Sequence, residues 1–199
     1  MRTALATIVV LLAGAGLLWQ ATDEARAFTT EGARRLAVSE SPRPVPSLLL
    51  QDHTGARFSF DRFAGKLLVL DFIYTGCADL CIVADNTLQT IRDSLPEARL
   101  GNDVVFLSIS FDPLRDTVHQ LAYYAKRHGA RAEHWPVARP SDSDRLPELL
   151  SAFGVTVIPD RWGGFQHNSA IYVVNRDGLL VAIFDYDDPA AVLRFLERQ

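Results

Sequence analysis

The stretch GKLLVLDFIYTGCADLC, residues 65–81, decides the fold. Its central part, Lys66–Tyr74, is an apolar run of strand length, as in a strand that is buried on both faces of a sheet. The apolar residues beyond it recur at helical spacing: Ala84, Leu88, Ile91 and Leu95. A helix is therefore predicted to follow the strand. Both cysteines of the chain, Cys77 and Cys81, lie at this strand-to-helix junction.

The residues after this helix repeat the alternation of strand and helix. The apolar run 103–111 predicts a second buried strand. Asp112 is the predicted N-cap of the next helix, with Pro113 at the first helical position. Gly129 is the predicted end of that helix, because glycine readily adopts the left-handed conformation of a helix terminus.

The C-terminal part adds further elements of both kinds. A short strand is predicted near residues 135–138 and a helix near 144–153, and the glycine-containing segment 154–168 is predicted to be a loop. The Asp-Gly pair within residues 175–178 predicts a hairpin between two strands. A closing helix is predicted over residues 188–198.

A shorter hairpin is predicted near the start of the regular pattern. Residues 47–60, SLLLQDHTGARFSF, read as two short strands about a His-Thr-Gly turn. Strands that alternate with helices indicate a mixed sheet covered on both faces. Because the cysteines follow the first central strand, we predict the α/β class and a thioredoxin-like mixed sheet flanked by helices on both faces, with an N-terminal β-hairpin.

Length and charge limit the possible functions. The chain has 199 residues and a net charge of −4, and no block of like charge is present. This length suits one domain with its own core. A nucleic-acid binder is excluded, because such proteins carry a basic stripe for phosphates.

The first 27 residues have the layout of a secretory signal peptide. Arg2 precedes an uncharged apolar run, and a small-residue site ends at Ala27. Cleavage after Ala27 and retention of residues 1–27 as a membrane anchor are both open. Either outcome makes the folded part periplasmic, or membrane-anchored and facing the extracytoplasmic side. Residues 28–46 show no sustained period and are predicted to be a linker or arm, which leaves 47–199 as the domain.

Three roles are open for the cysteine pair: a structural disulfide, a redox couple or two metal ligands. A helix N-terminus favours a thiolate, so Cys77 is predicted to be the exposed, reactive member and Cys81 the sheltered one. Helical residues four apart have Cβ atoms about 5–6 Å apart, whereas a disulfide needs about 3.5–4.5 Å. The spacing therefore favours a dithiolate metal site with accessible redox chemistry.

His167 is the candidate third ligand among the five histidines. It ends the loop before a predicted strand, and in a thioredoxin-like sheet that loop lies beside the strand end that bears the cysteines. A solvated loop histidine is the alternative interpretation. His128 is interpreted as a cation at a helix C-terminus. Two thiolates and one imidazole form a soft ligand set, which suits copper and especially Cu(I), whereas structural zinc sites more often have four protein ligands.

With these residues in place, the chain resembles the Sco/SenC family over most of residues 47–199. The resemblance rests on three ordered motifs: GKLLVLDFIYTGCADLC, VVFLSISFDPLRDT and HNSAIYVVNRDG. It implies a thioredoxin-like metallochaperone that serves assembly of the dinuclear copper site of cytochrome c oxidase, as a copper donor, as a reductant of the target's cysteines, or as both. It also implies that Cys77, Cys81 and His167 bind copper, in the Cu(I) state and also in the Cu(II) state.

The resemblance further implies a partner and a rival function. The expected partner is the copper-site subunit of cytochrome c oxidase or another copper or thiol target, and the N-terminal segment would contact the membrane if uncleaved. An enzyme is not expected beyond auxiliary thiol–disulfide exchange. The alternative is an extracytoplasmic thiol–disulfide reductase in which Cys77 attacks and Cys81 resolves, with no obligatory copper role.

Two features of the motifs concern the surroundings of the ligands. The element Asp-Pro-x-Arg-Asp-Thr, at 112–117, is interpreted as structural, capping a helix and tying the loop near the site. The family usually has a proline after each cysteine, whereas this chain has Ala78 and Ile82. The rigidity that those prolines would give to the loop is therefore absent here.

Overall fold

A computed structural model describes residues 2–24, 26–76 and 80–199, with the backbone alone for residues 2, 4, 5 and 80–86. The described chain divides into two compact units, with the boundary in the sequence between Ser41 and Pro42. Cys77 and Ala78 lie outside the described residues, and the side chains of Cys81 and Ile82 are not described.

The first unit contains two helices, α1 (Arg2–Ala21) and α2 (Thr30–Glu40). Within the described residues, no helix is long and apolar enough to cross a membrane. The interpretation of residues 1–27 as a signal peptide or anchor stays a prediction, as does the boundary between arm and domain.

Helix α2 was not expected, because residues 28–46 show no apolar period. The helix is stabilised locally instead. The Thr29 side chain accepts a hydrogen bond from the backbone N–H of Gly32, which caps the N-terminus. Glu31 pairs with Arg34 and Arg35 at 2.6 and 3.0 Å between nitrogen and oxygen, one helical turn away. The segment 28–46, which was predicted to be a linker or arm, therefore contains a regular helix.

The second unit is built on an eight-stranded sheet and a separate two-stranded sheet. Its described strands, in chain order, are β1 (Arg43–Pro44), β2 (Leu50–Asp52), β3 (Arg57–Phe58), β4 (Leu67–Ile73), β5 (Val104–Ser110), β6 (Val137–Pro140), β7 (Val157–Pro159), β8 (Phe165–His167), β9 (Ala170–Val174) and β10 (Leu179–Asp185). Its described α-helices are α3 (Leu80–Ser94), α4 (Val118–His128), α5 (Leu146–Phe153) and α6 (Pro189–Leu196).

The strand order of the large sheet is β1-β10-β9-β4-β5-β6-β2-β3. The central strands β4, β5 and β6 are parallel, whereas β9 pairs antiparallel with β4 and β2 pairs antiparallel with β3 and β6. All seven residues of both β4 and β5 are buried, as the apolar runs predict. Their register runs from Leu67 opposite Val104 to Ile73 opposite Ser110, so their carboxyl ends lie at one edge of the sheet.

Helices cover both faces of this sheet, which confirms the mixed layered architecture. Residues of α3, α4 and α6 share one buried cluster with the face of β4 that carries Leu67, Val69 and Ile73. On the opposite face, the Phe153 ring of α5 packs against Phe72 of β4, with 5.2 Å between ring centroids. Both layers are apolar and closely packed, which supplies most of the stability of such a domain.

Helix α4 begins later than the sequence predicts. Its N-cap is Thr117 rather than Asp112, and Gly129 ends it as predicted, with φ of 63°. Asp112 and Pro113 instead open a turn, in which the backbone N–H of Asp116 donates to the Asp112 carbonyl at 2.9 Å. This turn does not become part of α4, because the buried Asp116 carboxylate accepts hydrogen bonds from Thr75 and Ser110 outside the helix.

The segment 154–168, predicted as a loop, contains the hairpin of β7 and β8. Its register places Val157 opposite His167 and Ile158 opposite Gln166. The other predicted C-terminal elements are confirmed: β9 and β10 pair about residues 175–178, and α6 follows the Asp188 N-cap.

Candidate metal centre

The candidate ligands lie on two segments of the second unit. Cys81 is in the first turn of α3, and the described residue closest in sequence before Cys77 is Gly76, three residues after β4 ends. His167 is the last residue of β8, far away along the chain. The packing around Tyr74, Thr75 and His167 brings these two segments together.

Four rings connect the end of β4 to the β7–β8 hairpin. The ring centroids of Tyr74 and Phe111 are 5.3 Å apart, and those of Tyr74 and Phe165 are 5.2 Å apart. Phe111 also packs against Phe165 at 5.5 Å and against the His167 imidazole at 4.9 Å. Such pairs each contribute about 0.5–1.5 kcal/mol beyond the burial of their area. The Phe111 ring therefore lies between His167 and Tyr74, and Tyr74 precedes Cys77 by three positions.

The environment of His167 favours its neutral form. The imidazole is half-buried, and this desolvation lowers its pKa below the ordinary value of 6.5. The Ser169 hydroxyl oxygen is 3.4 Å from Nε2 and 3.5 Å from Nδ1, so neither contact is a short hydrogen bond. A neutral imidazole has a nitrogen lone pair for a metal ion.

Asp116 fixes the chain just before Cys77. Its carboxylate is 2% exposed and accepts hydrogen bonds from the Thr75 backbone N–H at 3.0 Å and from the Thr75 hydroxyl at 2.5 Å. The Ser110 hydroxyl at the end of β5 donates to the same carboxylate at 2.5 Å. A charged acceptor with several donors is strongly held. The position of the residues leading to Cys77 is therefore set by a buried network and not by β4 alone.

Arg115 fixes the hairpin that carries His167. Its guanidinium donates to the Gly163 carbonyl at 2.5 Å and lies 4.9 Å from the centroid of the Phe165 ring. It also pairs with the Asp112 carboxylate. Two consecutive residues, Arg115 and Asp116, thus hold the two segments that carry the candidate ligands. This confirms the structural interpretation of the 112–117 element, in which Thr117 is the helix cap.

The hairpin turn is closed by Asp160 and requires a glycine. The Asp160 carboxylate accepts from the backbone N–H groups of Trp162 and Gly164, each at 2.8 Å. A Cβ atom on Gly164 would lie 2.8 Å from the Asp160 Oδ2 atom and 3.4 Å from the Tyr74 hydroxyl oxygen. Position 164 therefore lets the turn lie directly against the aromatic cluster.

His128 differs from its sequence interpretation as a cation at a helix end. The side chain is buried, and desolvation, assisted by the nearby Arg127 charge, lowers its pKa to about 4. The Gln89 amide nitrogen lies 3.0 Å from Nδ1, and the Tyr124 ring packs at 4.3 Å between centroids. His128 is thus a neutral core residue, and this helix end is instead flanked by Lys126 and Arg127.

Comparison with known proteins decides the family. A model of the SCO1/SenC family matches residues 39–195. The chain belongs to the SCO1/SenC family. The SCO1 protein homolog of Bacillus subtilis is 24% identical to it over 152 residues, which cover 72% of this chain and 78% of the relative.

Solved structures of the SCO1/SenC family share the fold. Arabidopsis thaliana ScoI with copper bound has a TM-score of 0.67 at 22% identity, over 79% of this chain and 100% of that one. BsSco, a cytochrome c oxidase assembly protein with a disulfide switch, has a TM-score of 0.67 at 21% identity, over 79% and 94% of the two chains. The thioredoxin-like fold prediction is confirmed.

The main features of this SCO1/SenC chain that sequence reasoning missed are the aromatic cluster and the hairpin. The alternation in Phe165-Gln166-His167 was a signal, because Phe165 and His167 face the cluster while Gln166 is exposed. The strand length of three residues was too short for that signal to stand out.

Proposed function

We propose that this chain is a copper metallochaperone that binds copper through Cys77, Cys81 and His167. The observation that carries the proposal is the position of His167, a half-buried neutral imidazole packed on Phe111 beside the chain that leads to Cys77. In this role the protein delivers copper to the dinuclear copper site of cytochrome c oxidase or reduces the cysteines of that site.

The donor set suits the proposed cargo. Two thiolates and a neutral imidazole are soft ligands, which favour Cu(I) and also accept Cu(II). A helix N-terminus stabilises a thiolate, and Cys81 lies in the first turn of α3. Burial lowers the pKa of His167, which favours the neutral imidazole that binds a metal ion.

The place of action follows from the N-terminal segment. A signal peptide or anchor at residues 1–27 would put the second unit in the periplasm or on the extracytoplasmic side of the membrane. Reduced thiols at Cys77 and Cys81 then depend on an external reductant, because this compartment is oxidising.

A Cu(I) titration of the reduced protein tests the ligand assignment. Each of Cys77→Ser, Cys81→Ser and His167→Ala is expected to weaken Cu(I) binding by more than about tenfold, since each removes a donor atom. His119→Ala is the matched control, because His119 is an exposed histidine of α4. Unchanged 1:1 binding in all three ligand variants would refute the assignment.

The reductase alternative is supported by the disulfide switch of the structural neighbour BsSco. In that mechanism a Cys77 thiolate attacks a target disulfide, and Cys81 attacks the mixed disulfide, so the target gains two electrons as a Cys77–Cys81 disulfide forms. His167 takes no part in this exchange. If His167→Ala abolishes copper binding yet leaves oxidase assembly intact in cells, the reductase is the physiological function.

A further inference from the structure

The second unit exposes few large apolar side chains among its described residues. These are Leu49, Leu114, Tyr123, Ile158 and Trp162. The two most exposed are Leu114 at 83% and Trp162 at 77%. They lie on the 112–116 turn and on the turn of the β7–β8 hairpin, the two segments that hold the candidate centre.

The two turns are in direct contact. Arg115, next to Leu114, donates to the carbonyl of Gly163, next to Trp162, at 2.5 Å. The Arg161 guanidinium stacks on the Trp162 ring at 4.3 Å from its centroid. We call Leu114, Arg115, Arg161 and Trp162 the rim patch. It combines two exposed apolar groups and two cations on two turns that contact each other.

The rim patch borders the candidate centre. A surface cavity of about 350 Å³ lies between the two turns and is lined by Gly76, Arg115 and Gly163 among others. Gly76 immediately precedes Cys77 in the sequence. A protein seated on the patch would therefore place its own residues beside the chain that carries the first thiol.

The turn that presents Trp162 is ordered by its own hydrogen bonds. Asp160 accepts from the Trp162 and Gly164 N–H groups and donates its own N–H to the Gly164 carbonyl at 2.9 Å. The Trp162 ring contributes little to the core, because most of its surface is exposed. A large apolar side chain held at the surface in this way is typical of a binding site, and an ordered one loses less entropy on binding.

The charges of the rim patch indicate what it binds. Arg115 is paired with Asp112, whereas Arg161 forms no ion pair within the part of the chain that the structure describes. The neighbouring Asp160 carboxylate accepts the Trp162 and Gly164 N–H groups through Oδ1 and forms no ion pair with Arg161 among the described residues. The patch therefore presents a guanidinium without an ion-pair partner in the described chain beside an aromatic ring, which is complementary to an apolar surface bordered by carboxylates.

We propose that the rim patch, Leu114, Arg115, Arg161 and Trp162, is the docking surface for the acidic face of the copper-accepting protein. This inference rests on the proposed metallochaperone function, which supplies the partner. Tryptophan and arginine are the residues that most often dominate binding energy at interfaces. A small patch with one or two such residues suits a transient complex, which must dissociate after each transfer.

The test measures docking without copper. The full chain carrying Cys77→Ser and Cys81→Ser is titrated with the probe, the copper-free soluble copper-site domain of the host's cytochrome c oxidase subunit. In this parent, Trp162→Ala is expected to weaken binding about tenfold or more. Arg161→Glu should weaken it by a similar factor, and Arg161→Lys by less, because the charge is kept.

Ile158→Ala is the matched control. Ile158 lies in the same hairpin and is exposed, but it pairs with Gln166 on the strand face opposite His167. Its substitution should change the affinity less than about twofold. The inference is overturned if Trp162→Ala and Arg161→Glu both bind the probe as the parent does, or if the parent does not bind it.

A separate readout distinguishes this inference from the proposed function. Trp162→Ala and Arg161→Glu are placed in the background with both cysteines, and Cu(I) affinity is measured without any partner. We expect wild-type Cu(I) affinity and slower copper transfer to the probe. Failure of docking leaves the Cu(I) titration of the ligand variants unaffected, whereas failure of the ligand assignment appears in that titration alone.

Discussion

The junction after β4 and the β7–β8 hairpin meet at the candidate centre, but they are built differently. The junction follows the fully buried strand β4, which pairs with the equally buried β5, and it is fixed by the buried Asp116 carboxylate. The hairpin has two strands of three residues and depends on ring packing and on Arg115. The comparison teaches that one segment with candidate ligands continues directly from the core, whereas the other is a separate hairpin held against it by side chains.

Phe111 joins the two regions, so its removal should have the largest effect. The ring is 3% exposed and contacts Tyr74, Phe165 and His167. Phe111→Ala is expected to lower the free energy of unfolding by about 3–5 kcal/mol in urea titrations.

Phe111→Leu is the milder companion to this change. It should cost less stability but still weaken Cu(I) binding, because leucine does not reproduce the ring contact that holds His167. Cu(I) affinity equal to wild type in a folded Phe111→Leu protein would show that the cluster does not position the histidine.

Asp116→Ala breaks the junction alone. It leaves the Thr75 N–H, the Thr75 hydroxyl and the Ser110 hydroxyl without their acceptor. The expected loss in the free energy of unfolding is about 3 kcal/mol by chemical denaturation. Asp144→Ala, at an exposed aspartate, serves as the control. Equal stability of the two variants would contradict the role of the network.

His128, a buried residue at the end of α4, should make the stability of the core depend on pH. Its pKa is about 4 in the folded chain against 6.5 ordinarily, so the unfolded chain binds more protons between these values. The free energy of unfolding should therefore fall as the pH drops from 6.5 to 4, by about 1–3 kcal/mol. His128→Gln removes this contribution.

Urea unfolding of both proteins at several pH values between 4 and 7 measures the effect. The difference between wild type and His128→Gln is expected to shrink as the pH falls, because the protonated wild-type imidazole is penalised. His119→Gln, on the α4 surface, is the control. A difference that is constant with pH would argue against a buried neutral His128.

Arg115→Met should affect the hairpin and little else, with the smallest effect on global stability, about 1 kcal/mol. The variant loses the bond to the Gly163 carbonyl and the cation–π contact with Phe165. Amide hydrogen exchange in β7 and β8 is expected to accelerate more than exchange in β4.

Arg131→Met is the comparison for this change, since Arg131 is exposed in a loop of the same unit. Equal acceleration of exchange in β4 and in the hairpin would show that Arg115 acts on the whole domain and not on the hairpin.

The same contrast explains what the sequence could predict. β4 and β5 are runs of seven buried residues, so their apolar pattern is decisive. Helix α2 has only one buried residue, Val38, and is held by charge pairs that leave no apolar period. The start of α4 was misassigned because Asp112-Pro113 is a local cap signal, whereas the contacts of Asp116 with Thr75 lie 41 positions apart.

The candidate centre was only partly predictable for the same reason. His167 stood out by its place before β9, but its neighbours in space, Phe111 and Tyr74, come from distant parts of the chain. No local pattern encodes such contacts. The pKa of His128 likewise depends on burial that only the folded packing creates.

X-ray absorption spectroscopy of the Cu(I)-loaded full chain tests the central claim, that both segments bind one metal ion. The expected spectrum has two sulfur ligands and one imidazole nitrogen ligand, and His167→Ala should lose the nitrogen while keeping both sulfurs. A His167→Ala spectrum identical to that of the wild type would contradict the claim that the hairpin supplies the third ligand.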